Sequence, residues 1–188
     1  MADLLKNILI RVENLITEGL NAATTGEILH LIEGATLSQA ILDRVMLYNE
    51  TLPRAAEFPY TRQQRYLHFL WDAFDKTALS LMVPFSIPFR RLIGKYLFKS
   101  CGNAMIAEEN VRFNFGHLLE LGDGVFFNRG FCLTPREVLF LATAWPWPKT
   151  CEFLRTVTPK RRILSVVTDK LLSKITLKFM LGRLLCRA

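Results

Sequence analysis

Histidine is scarce in this chain, with three in 188 residues, His30, His68 and His117, and none after position 117. Cysteine is nearly as thin: Cys101, Cys132, Cys151 and Cys186 show no CxxC spacing and no grouping with histidine, which leaves scattered reduced thiols, no metal site and a cytoplasmic setting. No apolar run is long enough to span a bilayer, because the stretch from Thr77 to Phe89 is short and interrupted by Pro84 and Pro88. Burial against neighbouring helices is its expected fate. The opening Met-Ala-Asp-Leu-Leu-Lys has no cationic n-region and no cleavage signal of a secretory leader. A Gly-rich phosphate loop, basic residues interleaved with aromatics, a Ser-His-Asp arrangement and paired carboxylates are all missing, so no nucleic acid partner and no hydrolase is expected. A hydrophobic fraction of 51% excludes a disordered chain.

Positive charge is present but unevenly placed. Residues 134 to 188 hold 11 Lys and Arg against 3 Asp and Glu, a balance of +8, which leaves 13 against 14, or −1, for residues 1 to 133. The composition therefore changes abruptly just after Gly130. A basic terminal stretch with Leu164, Val167, Leu171, Leu172, Ile175 and Leu184 at helical spacing suits a helix with a solvated cationic face, or weak contact with an anionic membrane surface.

The first hundred residues read as helices. Leu4, Leu5, Ile8, Leu9, Val12, Leu15 and Ile16 predict an amphipathic helix from Asp3 to Glu18, ended by Gly19. Thr25 with Ile28, Leu29 and Ile32 predicts a short second helix ended by Gly34, and Leu37, Ala40, Ile41 and Val45 predict a third reaching about Asn49. Pro53 and Pro59 bracket a loop. Thr61 caps a longer helix to about Leu81, with Tyr66, Leu70, Phe74, Leu81 and Trp71 on its apolar side and Arg62, Arg65, Asp72, Asp75 and Lys76 on its polar face. Arg90 to Lys99 gives a short basic amphipathic segment. His30 and His68 fall in these helical patterns and read as structural.

From Ile106 to Gly130 the pattern changes. Phe115, Leu121 and Phe127 recur every six residues, and Gly122, Asp123 and Gly124 place turn formers before the apolar run Val125 to Phe127. Six-residue periodicity marks a solenoid whose flat faces are short strands and whose corners need residues tolerant of positive φ. A single β-hairpin with a Gly-Asp-Gly turn gives the same short pattern.

The wording RFNFGHLLELGDGVFFNRG, with Phe113, Asn114, Phe115 and Gly116 at one corner and Phe126, Phe127 and Asn128 after Gly-Asp-Gly-Val, is similar to the entry segment of the maltose and galactoside O-acetyltransferases, a family of hexapeptide-repeat acyltransferases. The resemblance covers about twenty-five residues. It implies an α+β fold, mostly α in this chain: a helical leader over residues 1–104, the first coil or coils of a left-handed parallel β-helix over 105–130, and an aberrant basic tail over 131–188. In that family the Asn matching Asn128 lines the acceptor pocket, acetyl-CoA or another acyl-CoA is the co-substrate, and a homotrimer is the working unit. The family's catalytic base is a His in a later coil, and this chain has none there, so no catalytic residue is assigned. His117 is an odd low-ranked candidate, just after the Gly116 corner.

The tail carries a second reading in the genetic code. After a one-base slip, each codon keeps as its last two bases the first two of the residue displayed, which forces Ala across both Trp-Pro steps at 145–148 and Arg across Cys151 and Glu152 unless a stop intervenes. From Thr134 onward the slipped frame permits Leu-Gly-Asp-Gly-Val, then Thr-His-Ser-His, then Ala-Gly-Ala-Thr-Ile-Val-Pro-Gly-Val, which resumes the interrupted repeat. The expectation is a frameshifted or truncated acyl-CoA-dependent O-acyltransferase, inactive and unable to bind acyl-CoA well, present as a monomer or aggregate. The rival is a non-enzymatic helical interaction or membrane-surface protein that uses the basic tail.

Overall fold

The computed structural model describes residues 2–52 and 55–133, with the backbone of 140–141. Helix α1 (Ala2–Glu18) buries Val12, Leu15 and Ile16 and stops at Gly19, whose φ of +106° is a conformation that favours glycine. Helix α2 (Ala22–Leu31) begins before Thr25: the Asn21 side chain accepts hydrogen bonds from the Ala23 and Thr24 N–H groups, and Thr24 Oγ1 accepts from the Asn21 N–H. Asn21 is a stronger cap than a threonine inside the first turn. Helix α3 spans only Gln39–Leu42, not 37–49, because Leu42 is its one buried anchor and a single turn gains little against the cost of nucleation.

Helix α4 (Arg62–Phe74) starts as its cap predicts, with Thr61 Oγ1 accepting from the Gln64 N–H and Gln64 Oε1 accepting from the Thr61 N–H. It ends at Phe74, well before Leu81. There the Thr77 N–H and hydroxyl both donate to the Phe74 carbonyl, and a 3-10 turn over Ala78–Leu81 follows. The two segments expected on either side of Arg90 are one helix, α5 (Val83–Leu97). Pro84 sits in its first turn, where an N–H has no partner, and Pro88 gives up only the bond to the carbonyl of Pro84. Phe85, Phe89, Ile93 and Leu97 offset that loss, since all four lie on one stripe and are almost fully buried. The expected burial of 77–89 holds for Leu79, Phe85 and Phe89 but not for Leu81 and Val83, which are 69% and 63% exposed.

Seven two-residue strands follow: β1 (Ser100–Cys101), β2 (Ile106–Ala107), β3 (Arg112–Phe113), β4 (Glu120–Leu121), β5 (Phe126–Phe127), β6 (Cys132–Leu133) and β7 (Phe140–Leu141). All pair in parallel at one offset of 20 residues, Ser100 with Glu120, Ile106 with Phe126, Arg112 with Cys132 and Glu120 with Phe140. Strand pairing thus begins at Ser100 and continues past Gly130, with β6 and β7 both inside the stretch expected to be a helical or poorly ordered basic tail. That tail's helix at 163–188 lies outside the described residues.

Corner stereochemistry repeats at the same offset. Ala104 and Gly124, and Asn110 and Gly130, have φ between +56° and +70°. Gly102 lies directly against the next turn, where a Cβ would fall 2.3 Å from the backbone carbon of Gly122. Phe115 does not belong to the six-residue series. The third corner carries two extra residues in a 3-10 turn (Gly116–Leu118), so the inward residue that precedes Leu121 and Phe127 is Phe113. Phe115 itself occupies the corner at φ 51°, ψ 50° and packs with Leu47 and Tyr60 in a small separate cluster.

The helices cap the first turn of strands. Trp71 Nε1–H donates to the Val111 carbonyl at 2.8 Å and Arg91 Nε–H to the Met105 carbonyl at 3.0 Å. The Asn110 N–H donates to Asp75 Oδ1 at 3.0 Å. Asp75 is therefore not on a polar face: its side chain is 0% exposed, paired with Arg90, itself 1% exposed, and 3.8 Å from Arg112. Arg112 also pairs with Asp72. The Arg90 guanidinium lies 5.2 Å from the Trp71 ring centre and 5.0 Å from that of Phe74, so its remaining N–H groups face aromatic rings. Asp75→Ala would leave Arg90 buried and unpaired and is expected to lower stability by about 3–5 kcal/mol in urea denaturation. The double variant Asp75→Leu/Arg90→Met is expected to be less damaging than Asp75→Ala alone.

Candidate functional site

Asn128 opens the corner between β5 and β6 and is exposed. Its turn is fixed from within and from below. The Phe131 N–H donates to the Asn128 carbonyl at 3.2 Å, the Arg129 N–H to Glu108 Oε2 at 2.9 Å and the Gly130 N–H to the Glu109 carbonyl at 3.0 Å. Arg129 Nε pairs with Glu109 Oε1 at 2.6 Å. The 108–110 corner of one turn is thus a platform for the 128–130 corner of the next, and it holds Asn128 at a defined position on the outer surface.

His117 lies elsewhere, in the 3-10 turn between β3 and β4. It is half-buried, its ring edge-on to Tyr60 at 4.3 Å between centroids, and Nδ1 is buried without a hydrogen-bond partner. Burial pushes its pKa down from the usual 6.5. Asn128 and His117 are therefore on different corners, and the two candidates do not converge. His30 is exposed on α2.

His68, expected to be structural, is the centre of a second buried polar cluster, separate from the Asp75 network. It is 1% exposed, with Nδ1 3.2 Å from the Tyr60 hydroxyl and Nε2 3.2 Å from Asn49 Nδ2. Asn49 Nδ2 also donates to the Tyr60 hydroxyl at 3.2 Å. Burial, then the nearby His117 and Arg112, pull the His68 pKa down to about 3, while burial pushes Tyr60 up to about 12. Both groups are neutral over the physiological range, which makes the cluster a hydrogen-bonding clasp and not an acid–base pair. The only sequence signal for it was a histidine at the apolar spacing of α4, next to Leu67 and Trp71.

Among the described residues no three His, Cys, Asp or Glu side chains come together as a metal site, and no helix is long and apolar enough to cross a membrane. Two clefts of about 240 and 230 Å³ open on the leader, and neither is lined by Asn128, His117 or His68. Comparison of the chain with family models, curated proteins and solved structures gives no match in any of the three.

A buried neutral histidine sets a pH dependence. Its unfolded form takes up a proton near pH 6.5 and its folded form only near 3, so the stabilisation is complete above 6.5 and is lost as pH falls toward 3. Unfolding free energy is expected to drop by about 2 kcal/mol between pH 7 and pH 5 from this group. In nitrogen NMR over the same range, the His68 ring signals should keep the neutral form.

Proposed function

We propose that the strand region from Ser100 to Leu133 is the entry of a left-handed parallel β-helix of the acyl-CoA-dependent O-acyltransferase type, carried on a helical leader, and that this polypeptide transfers no acyl group itself. The observation that supports it most is the constant 20-residue parallel offset, joined to left-handed corners at Ala104 and Gly124 and at Asn110 and Gly130. An isolated hairpin has antiparallel strands and no such repeat.

The register also favours a slipped frame. In that frame Leu-Gly-Asp-Gly-Val falls on codons 141 to 145, 20 positions after Leu121, Gly122, Asp123, Gly124 and Val125, and residue 141 is the backbone partner of Leu121. The permitted reading thus restores the corner sequence where the backbone repeat calls for it.

Acyl transfer to a sugar-like hydroxyl needs a base to take the acceptor proton and a donor N–H to steady the oxyanion. Asn128 sits exposed on a fixed corner, suited to orienting an acceptor hydroxyl, but an amide cannot take up a proton at neutral pH. His117 faces Tyr60 on another corner and is not placed to serve it. The rival reading, a membrane-surface or interaction protein, rests on the +8 balance of residues 134–188.

The test is acetyl transfer from acetyl-CoA to a panel of sugars and related polyols. The chain as given should show no turnover above background, and a gene with its frame restored at the codons for Gly130 and Phe131 should produce a trimer with activity lost on Asn128→Ala. Turnover by the chain as given, abolished by His117→Ala, would overturn the assignment. Salt-sensitive binding to anionic vesicles, lost when the chain is ended at Gly130, would favour the rival.

A further inference from the structure

Residues 55–60 cross from the leader to the third corner of the strand region as a strap. The segment is held at both ends. Before it, Glu50 forms a bidentate pair with Arg65, with contacts of 2.7–3.0 Å, and after it Thr61 is locked into the cap of α4. Burial pushes the Glu50 carboxyl up, but its bonds to Arg65 and the Leu47 N–H outweigh that and hold it below the usual range. Between the two anchors, a 3-10 turn (Ala55–Glu57) leads to Phe58 and Tyr60.

The strap does not join the main core. Tyr60 belongs to a separate cluster with Leu47 and Phe115, against which Phe58, Ala55 and Leu118 pack. Phe58 lies 5.6 Å from Phe115 and Tyr60 stacks on Phe115 at 6.0 Å, while the Tyr60 ring covers both imidazoles, 4.3 Å from His117 and 5.7 Å from His68. Phe115 is held in a left-handed conformation, which is strained for a bulky residue, so the closed arrangement also stores backbone strain. One small cluster of rings and one hydroxyl clasp therefore keep the strap on the corner.

We propose that residues 55–60 are a proton-released strap: closed, Tyr60 seals His68 and His117 against the 115–118 corner, and proton uptake by these imidazoles lifts it and uncovers that corner.

The closed form disfavours the imidazolium because burial, His117 and Arg112 outweigh the two groups that support it, the Phe113 backbone and the Glu50 carboxylate. His68 faces His117 from the corner and Arg112 from β3, both unfavourable to a second positive charge. The carboxylates near it are Asp72 at 3.9 Å on its own helix and the more distant Glu50, which is already committed to Arg65. His117 faces the Tyr60 and Phe115 rings, with its Nδ1 unpartnered. Once the strap lifts, both rings meet water and their proton affinity returns to the ordinary range. Opening is then driven by the difference in proton binding between the two forms. Glu50 stays ionised down to pH 5, so the outer anchor holds while the strap moves.

Hydrogen–deuterium exchange of the full chain at pH 7 and pH 5, corrected for intrinsic amide chemistry, tests this. Peptides covering 55–61 are expected to show opening about 25-fold more frequent at pH 5, from His68 alone, and at both pH values to open more often than peptides from α1 and α2, which exchange through the global unfolding that His68 also promotes. His68→Gln, which cannot take up the proton, should reduce that rise to under about 3-fold. Opening of 55–61 no more frequent than that of α1 and α2 at pH 5, or an undiminished rise in His68→Gln, would overturn the proposal. Should His68→Gln fail to fold, Tyr60→Phe replaces it: loss of the hydroxyl should raise opening of 55–61 at pH 7, and unchanged exchange there would equally overturn it.

Discussion

The Asp75 carboxylate is the constraint on which the rest of this fold depends. One side chain at the end of α4 receives a guanidinium from α5, an N–H from the Asn110 corner and a second guanidinium from β3. The first turn of stacked parallel strands has no turn below to satisfy its backbone or cover its apolar interior. Here Asp75 takes the corner N–H that a preceding turn would have bonded, while Trp71 and Arg91 donate to two first-turn carbonyls. Buried ion pairs add little net stability but are costly to break, so their value is in register: Arg90 fits Asp75 only when α4, α5 and the 108–112 corner meet in one way. The apolar core follows the same plan, running without interruption from Val12 in α1 to Phe127 in β5.

Above that cap, corner chemistry governs. Each turn of the strand region uses steps of six, six and eight residues, and the longer step carries the 3-10 turn at Gly116–Leu118. The first turn places Ala104 and Asn110 in the left-handed region, and the second places Gly124 and Gly130 at the equivalent positions. Glycine relieves strain of about 1–2 kcal/mol per corner, so the second turn is less strained than the first. The first turn tolerates its residues because helix packing holds it from below.

What could be read from the residues tracks how local the cause is. The α1 stripe and its stop at Gly19, and the Thr61 cap of α4, depend on neighbours within four residues and were legible. The continuity of α5 through Pro88 was not, because a tertiary stripe of Phe85, Phe89, Ile93 and Leu97 overrides a local penalty. Asp75 was misplaced for a similar reason: at helical spacing it lies beside Asp72 and Lys76, and only the partner Arg90, fifteen residues on, explains its burial. Counting sixes put Phe115 in the series with Leu121 and Phe127 because it could not anticipate the longer third corner. Asn128 was singled out by resemblance alone, and its exposed position rests on the corner that Glu108 and Glu109 hold from below. The His68 clasp stayed hidden, since its partners Asn49 and Tyr60 come from an irregular segment whose course no periodicity records.

On the proposed function, the same architecture separates folding from chemistry along the chain. Stability in a repeat structure is a sum over nearest neighbours, and among the described residues the buried Asp75–Arg90 pair lies at the capped end, where helices α4 and α5 meet the first turn. Under the proposed reading, a hydroxyl-directed acyl transfer would draw its base from turns farther along, in line with a slipped frame that permits Thr-His-Ser-His only after the second described turn. A lesion just past Gly130 would then remove the chemistry without touching Asp75, Trp71 or Arg91. The leader and first turns would fold on their own interactions, and Asn128 would stand on an intact corner beside no base.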